Sequence, residues 1–153
     1  MPTQTPCLWF DGQAEQAAEL YTSIFPDSAI TSVSRLPDGT ALVVEWSLDG
    51  QRYQGLNGGP QYTFSEAISF SISCADQEEV DHYWERLSEG GSEGPCGWLK
   101  DRFGVSWQVV PRRLGELLGD PDPERSQRAM QAMMRMQKIV VAELEAAADG
   151  VPA

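Results

Sequence analysis

Ala67-Ile68-Ser69-Phe70-Ser71-Ile72-Ser73-Cys74 alternates residue by residue, with Ile68, Phe70, Ile72 and Cys74 on one side and Ser69, Ser71 and Ser73 on the other. A period of two means a β-strand, and this one has an apolar packing face and a polar face. Next, Gln77–Leu87 changes to helical spacing, with Val80, Tyr83, Trp84 and Leu87 turned inward and Gly90-Gly91 as the stop. Glu93–Leu99 reads as a weak strand broken by Gly94 and Pro95. Lys100–Gly104 turns, and Val105–Val110 is a strong strand closed by Pro111.

The same order stands before this stretch. Thr5–Phe10 reads as a strand that Asp11-Gly12 breaks. Gln13–Phe25 reads as a helix with Ala17, Leu20, Tyr21 and Ile24 on one face, stopped by Pro26-Asp27. Ala29–Leu36, Thr40–Leu48 and Gln51–Leu56 follow as strands, separated by Pro37-Asp38-Gly39 and Asp49-Gly50. The helix anchors of the two halves superpose at one constant offset. Gly50-Gln51-Arg52-Tyr53-Gln54 likewise lies over Gly104-Val105-Ser106-Trp107-Gln108. The chain therefore reads as β-α-β-β-β twice, the second copy with a shortened strand set. The fold class is α+β in one domain: module one covers about 1–60, module two about 61–111, and an extension about 112–150. The competing reading is an α+β sandwich without duplication.

In the extension, Leu114–Leu118 is a short helix and Asp120-Pro121-Asp122-Pro123 a stiff linker whose acidic residues suit a helix start. Glu124–Ala148 then reads as one long helix. Met130, Met133, Met134, Ile139, Val140 (or Val141) and Leu144 recur near helical spacing. This stripe reads as core or dimer seam in preference to a plastic binding face. The length of the helix suggests that it also lies across a partner subunit.

Composition narrows the classes. Eleven basic against twenty-three acidic residues leave a net charge of -12. That charge repels phosphate backbones and anionic bilayers, so neither nucleic acid nor membrane is an expected partner. No segment has the apolar length of a membrane span, and the N-terminus does not read as a signal peptide. Cys7, Cys74 and Cys96 form no CxxC pair, which points to a reducing cytoplasm and away from a disulfide framework.

Several motifs together resemble PhnB-like proteins of the vicinal-oxygen-chelate, or glyoxalase/bleomycin-resistance, superfamily. They are Pro6-Cys7-Leu8-Trp9-Phe10-Asp11-Gly12-Gln13-Ala14-Glu15 with Ala18-Glu19-Leu20-Tyr21; Gly55-Leu56-Asn57-Gly58-Gly59-Pro60; Ile68-Ser69-Phe70 through Val80-Asp81-His82-Tyr83-Trp84; and Gly97-Trp98-Leu99-Lys100-Asp101-Arg102-Phe103-Gly104-Val105-Ser106-Trp107-Gln108-Val109-Val110-Pro111. The tail from Ala129-Met130 to Ala147 is similar as well. Proteins of this subgroup often carry a 3-demethylubiquinone methyltransferase label. The resemblance implies two βαβββ modules whose mixed sheets curl around one cup, in a homodimer.

It also implies where a metal would sit in metal-dependent relatives. Their ligands are His, Glu or Gln on the first and last strands of each module. Carried over, those places fall at Thr5 or Cys7, Gln54, Ser69 and Gln108. Strand parity agrees: with Leu8 and Phe10 toward the helix, Thr5, Cys7 and Trp9 face the cup, as do Ser69, Ser71 and Ser73. Hydroxyls and neutral amides are weak ligands for divalent metals. The single histidine, His82, falls on the second helix. No metal and no cofactor are expected.

What remains is a polar, aromatic-lined cup. Gln54 and Gln108 hold pseudo-symmetric places and can donate and accept hydrogen bonds. Trp9, Trp98 and Trp107 offer flat walls or plain core packing. Asn57 reads as a holder of the glycine-rich loop or as a ligand contact. Lys100 reads as a solvated turn lysine or as an attractor for an anionic ligand. Cys7 and Cys96 lack a neighbouring histidine to activate them as nucleophiles. Glu45, Glu66 and Asp101 are the few carboxylates available for acid–base work. The favoured expectation is a module that binds a small molecule. The alternative is a metal-independent lyase, isomerase or transferase. The methyltransferase label finds no support in the sequence, because no glycine-rich nucleotide turn follows the first strand. A regulatory or purely structural dimer is a further option.

Overall fold

Two β-α-β-β-β units follow one another in the computed structural model, which describes residues 1–152. The division between them falls after Phe64.

The first unit comprises β1 (Cys7–Phe10), α1 (Ala14–Ile24), β2 (Ala29–Arg35), β3 (Ala41–Leu48) and β4 (Gln51–Asn57). The sheet order is β1-β4-β3-β2, with β1 parallel to β4 and the other pairs antiparallel. α1 carries the chain to the far edge, and the β2-β3-β4 meander brings it back beside β1. The helix buries Ala14, Ala17, Ala18, Tyr21 and Ile24, a spacing of three and four that keeps them on one face. Small alanines let the helix come close to the sheet. At Gly55 of β4 an added Cβ would lie 3.0 Å from the Trp46 ring and 3.1 Å from the Ala14 Cβ. Gln13 offers α1 no side-chain cap. Instead Asn57 reaches up from β4: its Oδ1 accepts the Ala14 N–H at 2.9 Å and its Nδ2 donates to the Ala41 carbonyl at 2.9 Å.

The second unit repeats the plan with β5 (Phe70–Cys74), α2 (Gln77–Ser88), β6 (Ser92–Glu93), β7 (Trp98–Lys100) and β8 (Ser106–Pro111). Its sheet order is β5-β8-β7-β6, again with the first and last strands parallel. Asp76 caps α2 by accepting the Glu79 N–H at 3.0 Å, and Val80, Trp84 and Leu87 are buried. The single weak strand expected over Glu93–Leu99 is a hairpin of two short strands. Pro95 has no N–H to give a ladder, and Cys96 and Gly97 both take positive φ, so the chain reverses there. The second unit thus has the same strand count as the first. Ile68 also departs from the strand pattern. It lies before β5, 73% exposed, and does not extend the apolar face.

Asp101 ties the turn between β7 and β8. It is buried, and its Oδ1 accepts the N–H groups of Phe103 at 2.9 Å and Val105 at 3.0 Å, while its Oδ2 accepts the Trp107 indole N–H at 2.9 Å. Such a carboxylate serves as an anchor, which withdraws it from the acid–base candidates.

The extension is helical but divided: α3 (Arg112–Leu118), α4 (Pro123–Met133) and α5 (Val141–Ala148). They enclose their own cluster of Leu114, Leu117, Ala129, Ile139, Leu144 and Ala148, with Met133 and Met136 packed against it. Met130 and Met134 are exposed, so the methionine stripe is part core and part surface. The long helix breaks because its carbonyls are needed elsewhere. The Met136 and Gln137 carbonyls accept from the Cys96 and Gly97 N–H groups, each at 2.8 Å. Gln77 clamps the break from α2, donating to the Ile139 carbonyl at 3.0 Å and accepting the Val141 N–H at 2.7 Å. Among the described residues no helix is long and apolar enough to cross a membrane.

Replacing Asp101 by Ala strands three donors in the interior. We expect the Asp101→Ala protein to lose about 3 kcal/mol in urea denaturation, since each unpaired buried donor costs about 1–3 kcal/mol before relaxation. Asp101→Asn retains acceptors and should lose less. Equal stability of Asp101→Ala and the parent would refute the anchor.

Candidate functional site

Each sheet has one face under its helix and one face turned away, and the strand register sorts the candidate residues between them. In the first unit Leu8, Phe10, Val44 and Trp46 are buried toward α1. Cys7, Gln54 and Glu45 are direct neighbours across β1, β4 and β3 on the other face. The Gln54 Nε2 lies 3.5 Å from the Glu45 Oε1. Trp9 shares this face. Its indole N–H donates to the Gly59 carbonyl at 2.8 Å, and its ring meets Tyr62 edge-on at 4.9 Å. The ring lies directly over Gly58, where an added Cβ would sit 2.3 Å from it. Thr5 lies ahead of β1 and is half-buried. Asn57 belongs to the opposite, helix-facing side, where both ends of its amide are engaged by Ala14 and Ala41. Its amide thus holds the start of α1 to β3, and not the glycine-rich loop as the sequence suggested.

The second unit gives an equivalent row. Ser71, Gln108 and Trp98 are neighbours across β5, β8 and β7. The Gln108 Nε2 donates to the Ser69 hydroxyl at 2.9 Å. Gln54 and Gln108 therefore occupy the same place in the two units, each half-buried beside the first strand. Trp107 does not join them. It is 2% exposed and points the other way on β8, into the core with its indole held by Asp101. A strand residue next to Gln108 must face the opposite side.

A second row lies one step along the sheet: Ser92, Lys100 and Ser106 across β6, β7 and β8. These residues and Trp98 line a concavity of 460 Å³. Lys100 pairs there with Glu66, and its ammonium holds the Glu66 carboxyl below the usual carboxylate range. Ser106 was not among the residues singled out from the sequence, although its parity with Gln108 was sufficient to put it on this face.

Cys7 and Cys74 are not activated. Burial pushes the Cys7 thiol up, and burial reinforced by Glu79 pushes Cys74 up to about 12. Cys96 lines the concavity. His82 is exposed on α2 with its ring against Tyr83. Among the described residues no three His, Cys, Asp or Glu side chains are grouped so as to hold a metal ion.

Two βαβββ units with parallel outer pairing define a protein of the glyoxalase/bleomycin-resistance class, and the comparisons agree. The family model described as 3-demethylubiquinone-9 3-methyltransferase matches residues 2–110. A PhnB protein from Bacillus cereus, described as belonging to the same methyltransferase type, is 31% identical; the match covers 72% of this chain and 99% of that one, with a TM-score of 0.66. The chain belongs to this PhnB-like family within the vicinal-oxygen-chelate superfamily. A Pseudomonas aeruginosa protein shares the fold at 17% identity and TM-score 0.62, over 72% of this chain and 98% of its own. The fosfomycin resistance protein FosX from Listeria monocytogenes, solved with Mn(II), shares it at 19% identity and TM-score 0.51, over 71% and 90%. No curated protein sequence matches the chain significantly. The α3–α5 extension lies outside the family match.

With a thiol at about 12 and buried, Cys74 should resist iodoacetamide at pH 8 in the folded protein and react only on unfolding. Cys7, which is exposed, should be alkylated first, though more slowly than a free thiol. Peptide mapping by mass spectrometry gives the order, and early labelling of Cys74 would contradict it.

Proposed function

We propose that this chain is a small-molecule-binding member of the superfamily that works without a metal, in the cytoplasm and as a homodimer. The supporting observation is the pair of equivalent rows, Cys7–Gln54 and Ser71–Gln108. They stand on the first and last strands of each unit, and the donors there are a thiol with a raised pKa, a hydroxyl and two neutral amides. That set does not fit a divalent first-row metal, which favours imidazole, carboxylate or thiolate. Neutral amides beside indole rings suit recognition instead, because they donate and accept without a net charge.

The methyltransferase named in the family description is not part of this reading. β1 runs into Asp11-Gly12 without a glycine-rich nucleotide turn, and the sheets are mixed, not doubly wound. A metal-independent lyase, isomerase or transferase is the competing reading. Glu45, within 3.5 Å of Gln54, is the carboxylate best placed for it.

Tryptophan fluorescence of the purified protein, screened against aromatic metabolites and antibiotics, should find saturable quenching that weakens about tenfold in Gln108→Leu, the loss of roughly one hydrogen bond. Mn(II) or Zn(II) should leave the melting temperature unchanged. A stoichiometric metal with a raised melting temperature, or a screen in which nothing binds, would end the proposal.

A further inference from the structure

We infer that the concavity over the Ser92–Lys100–Ser106 row binds a flat, largely apolar molecule that carries no negative charge and offers one hydrogen-bonding group to Ser106. This rests on the small-molecule reading only in its ligand class, and places a site apart from the Gln54 and Gln108 rows.

The Ser106 hydroxyl is the first reason. The residue is 2% exposed and lines the concavity, and its Oγ has no hydrogen-bond partner among the described residues. Burying an unpaired hydroxyl is costly, and alanine would fill the same space without that cost. A ligand donor or acceptor reaching the floor would supply the missing partner. Trp98, Pro95 and Leu99 give the lining apolar surface, the first two with flat rings. At 460 Å³ the space suits a compact aromatic molecule.

Charge sets the class. Glu66 and Glu93 face one cation, Lys100, which is already paired with Glu66. Glu93 is engaged by the Trp84 indole N–H at 2.9 Å. The lining is thus net negative, in a chain of net charge -12, and anions are disfavoured.

The wall is also fixed in advance. The Cys96 and Gly97 N–H groups are held by the Met136 and Gln137 carbonyls, which the break between α4 and α5 leaves free. An added Cβ on Gly97 would lie 2.8 Å from the Val109 carbonyl, so the loop has little room to shift. A pocket built before the ligand arrives costs less to fill. The two carbonyls that hold this wall from behind belong to the extension, which the family match does not reach. Neither Gln54 nor Gln108 lines it.

Nile red, neutral with a ring carbonyl, and the sulfonate dye 8-anilinonaphthalene-1-sulfonate separate the claims by fluorescence titration of the full chain. Nile red should bind saturably, and the sulfonate at least tenfold more weakly. Ser106→Ala should weaken Nile red about three- to tenfold while raising the melting temperature, because the unpaired hydroxyl is gone. Ser92→Trp, at an exposed mouth position, should weaken it at least tenfold with unchanged circular dichroism. Equal Nile red affinity in both variants would overturn the pocket and leave the small-molecule reading standing. Tighter binding of the sulfonate would overturn the ligand class. Failure of Nile red together with the wider aromatic screen would remove both.

Discussion

In each unit the first strand pairs in parallel with the last, β1 with β4 and β5 with β8. Parallel neighbours cannot be joined by a tight turn, so the chain must leave by a helix and return through a meander. The helix then covers one face of the sheet and leaves the other uncovered. Every assignment of a side chain to core or to a functional face follows from that one-sided cover and from the two-residue period of the strands. Trp107 and Gln108 illustrate it: adjacent in sequence, one is locked into the core by Asp101 and the other stands beside Ser71.

The sheet faces turned away from the helices carry neutral amides, hydroxyls and a thiol. The family resemblance carries the metal-ligand places of metal-dependent relatives to Thr5 or Cys7, Gln54, Ser69 and Gln108. The amides already have neighbours, Gln54 near Glu45 and Gln108 on Ser69. Such groups offer hydrogen bonds in both directions with little electrostatic pull. The unsatisfied hydroxyl of Ser106 stands apart from this orderly pairing. Buried polar groups without partners concentrate where function outweighs stability.

The extension has an architectural role besides its own small core. By breaking between α4 and α5 it frees two carbonyls to hold the Cys96–Gly97 turn, and Gln77 secures the break from α2. Helix propensity alone favours continuing through this segment. The Gln77 hydrogen bonds to the Ile139 carbonyl and the Val141 N–H outweigh it, at a place where the β-branched Ile139, Val140 and Val141 weaken that propensity.

Strand and helix identities, the duplication and the α+β class were legible in the sequence, because alternation and three-to-four spacing are local consequences of backbone geometry. So was the strand parity that puts Cys7 and Trp9 of the first unit, and Ser71 of the second, on the sheet face away from the helix. The sequence could not show that Asn57 caps α1, that Asp101 anchors a turn, or that Glu124–Ala148 is two helices, whereas the inward Trp107 was implied by its alternation with Gln108. The Asn57 cap and the helix break depend on hydrogen bonds to residues distant along the chain, Asn57 to Ala14 and Gln77 to Val141, and the Asp101 anchor on the fold of its own turn. Local patterning fixes which way a side chain can point. Only the assembled register decides what it meets there.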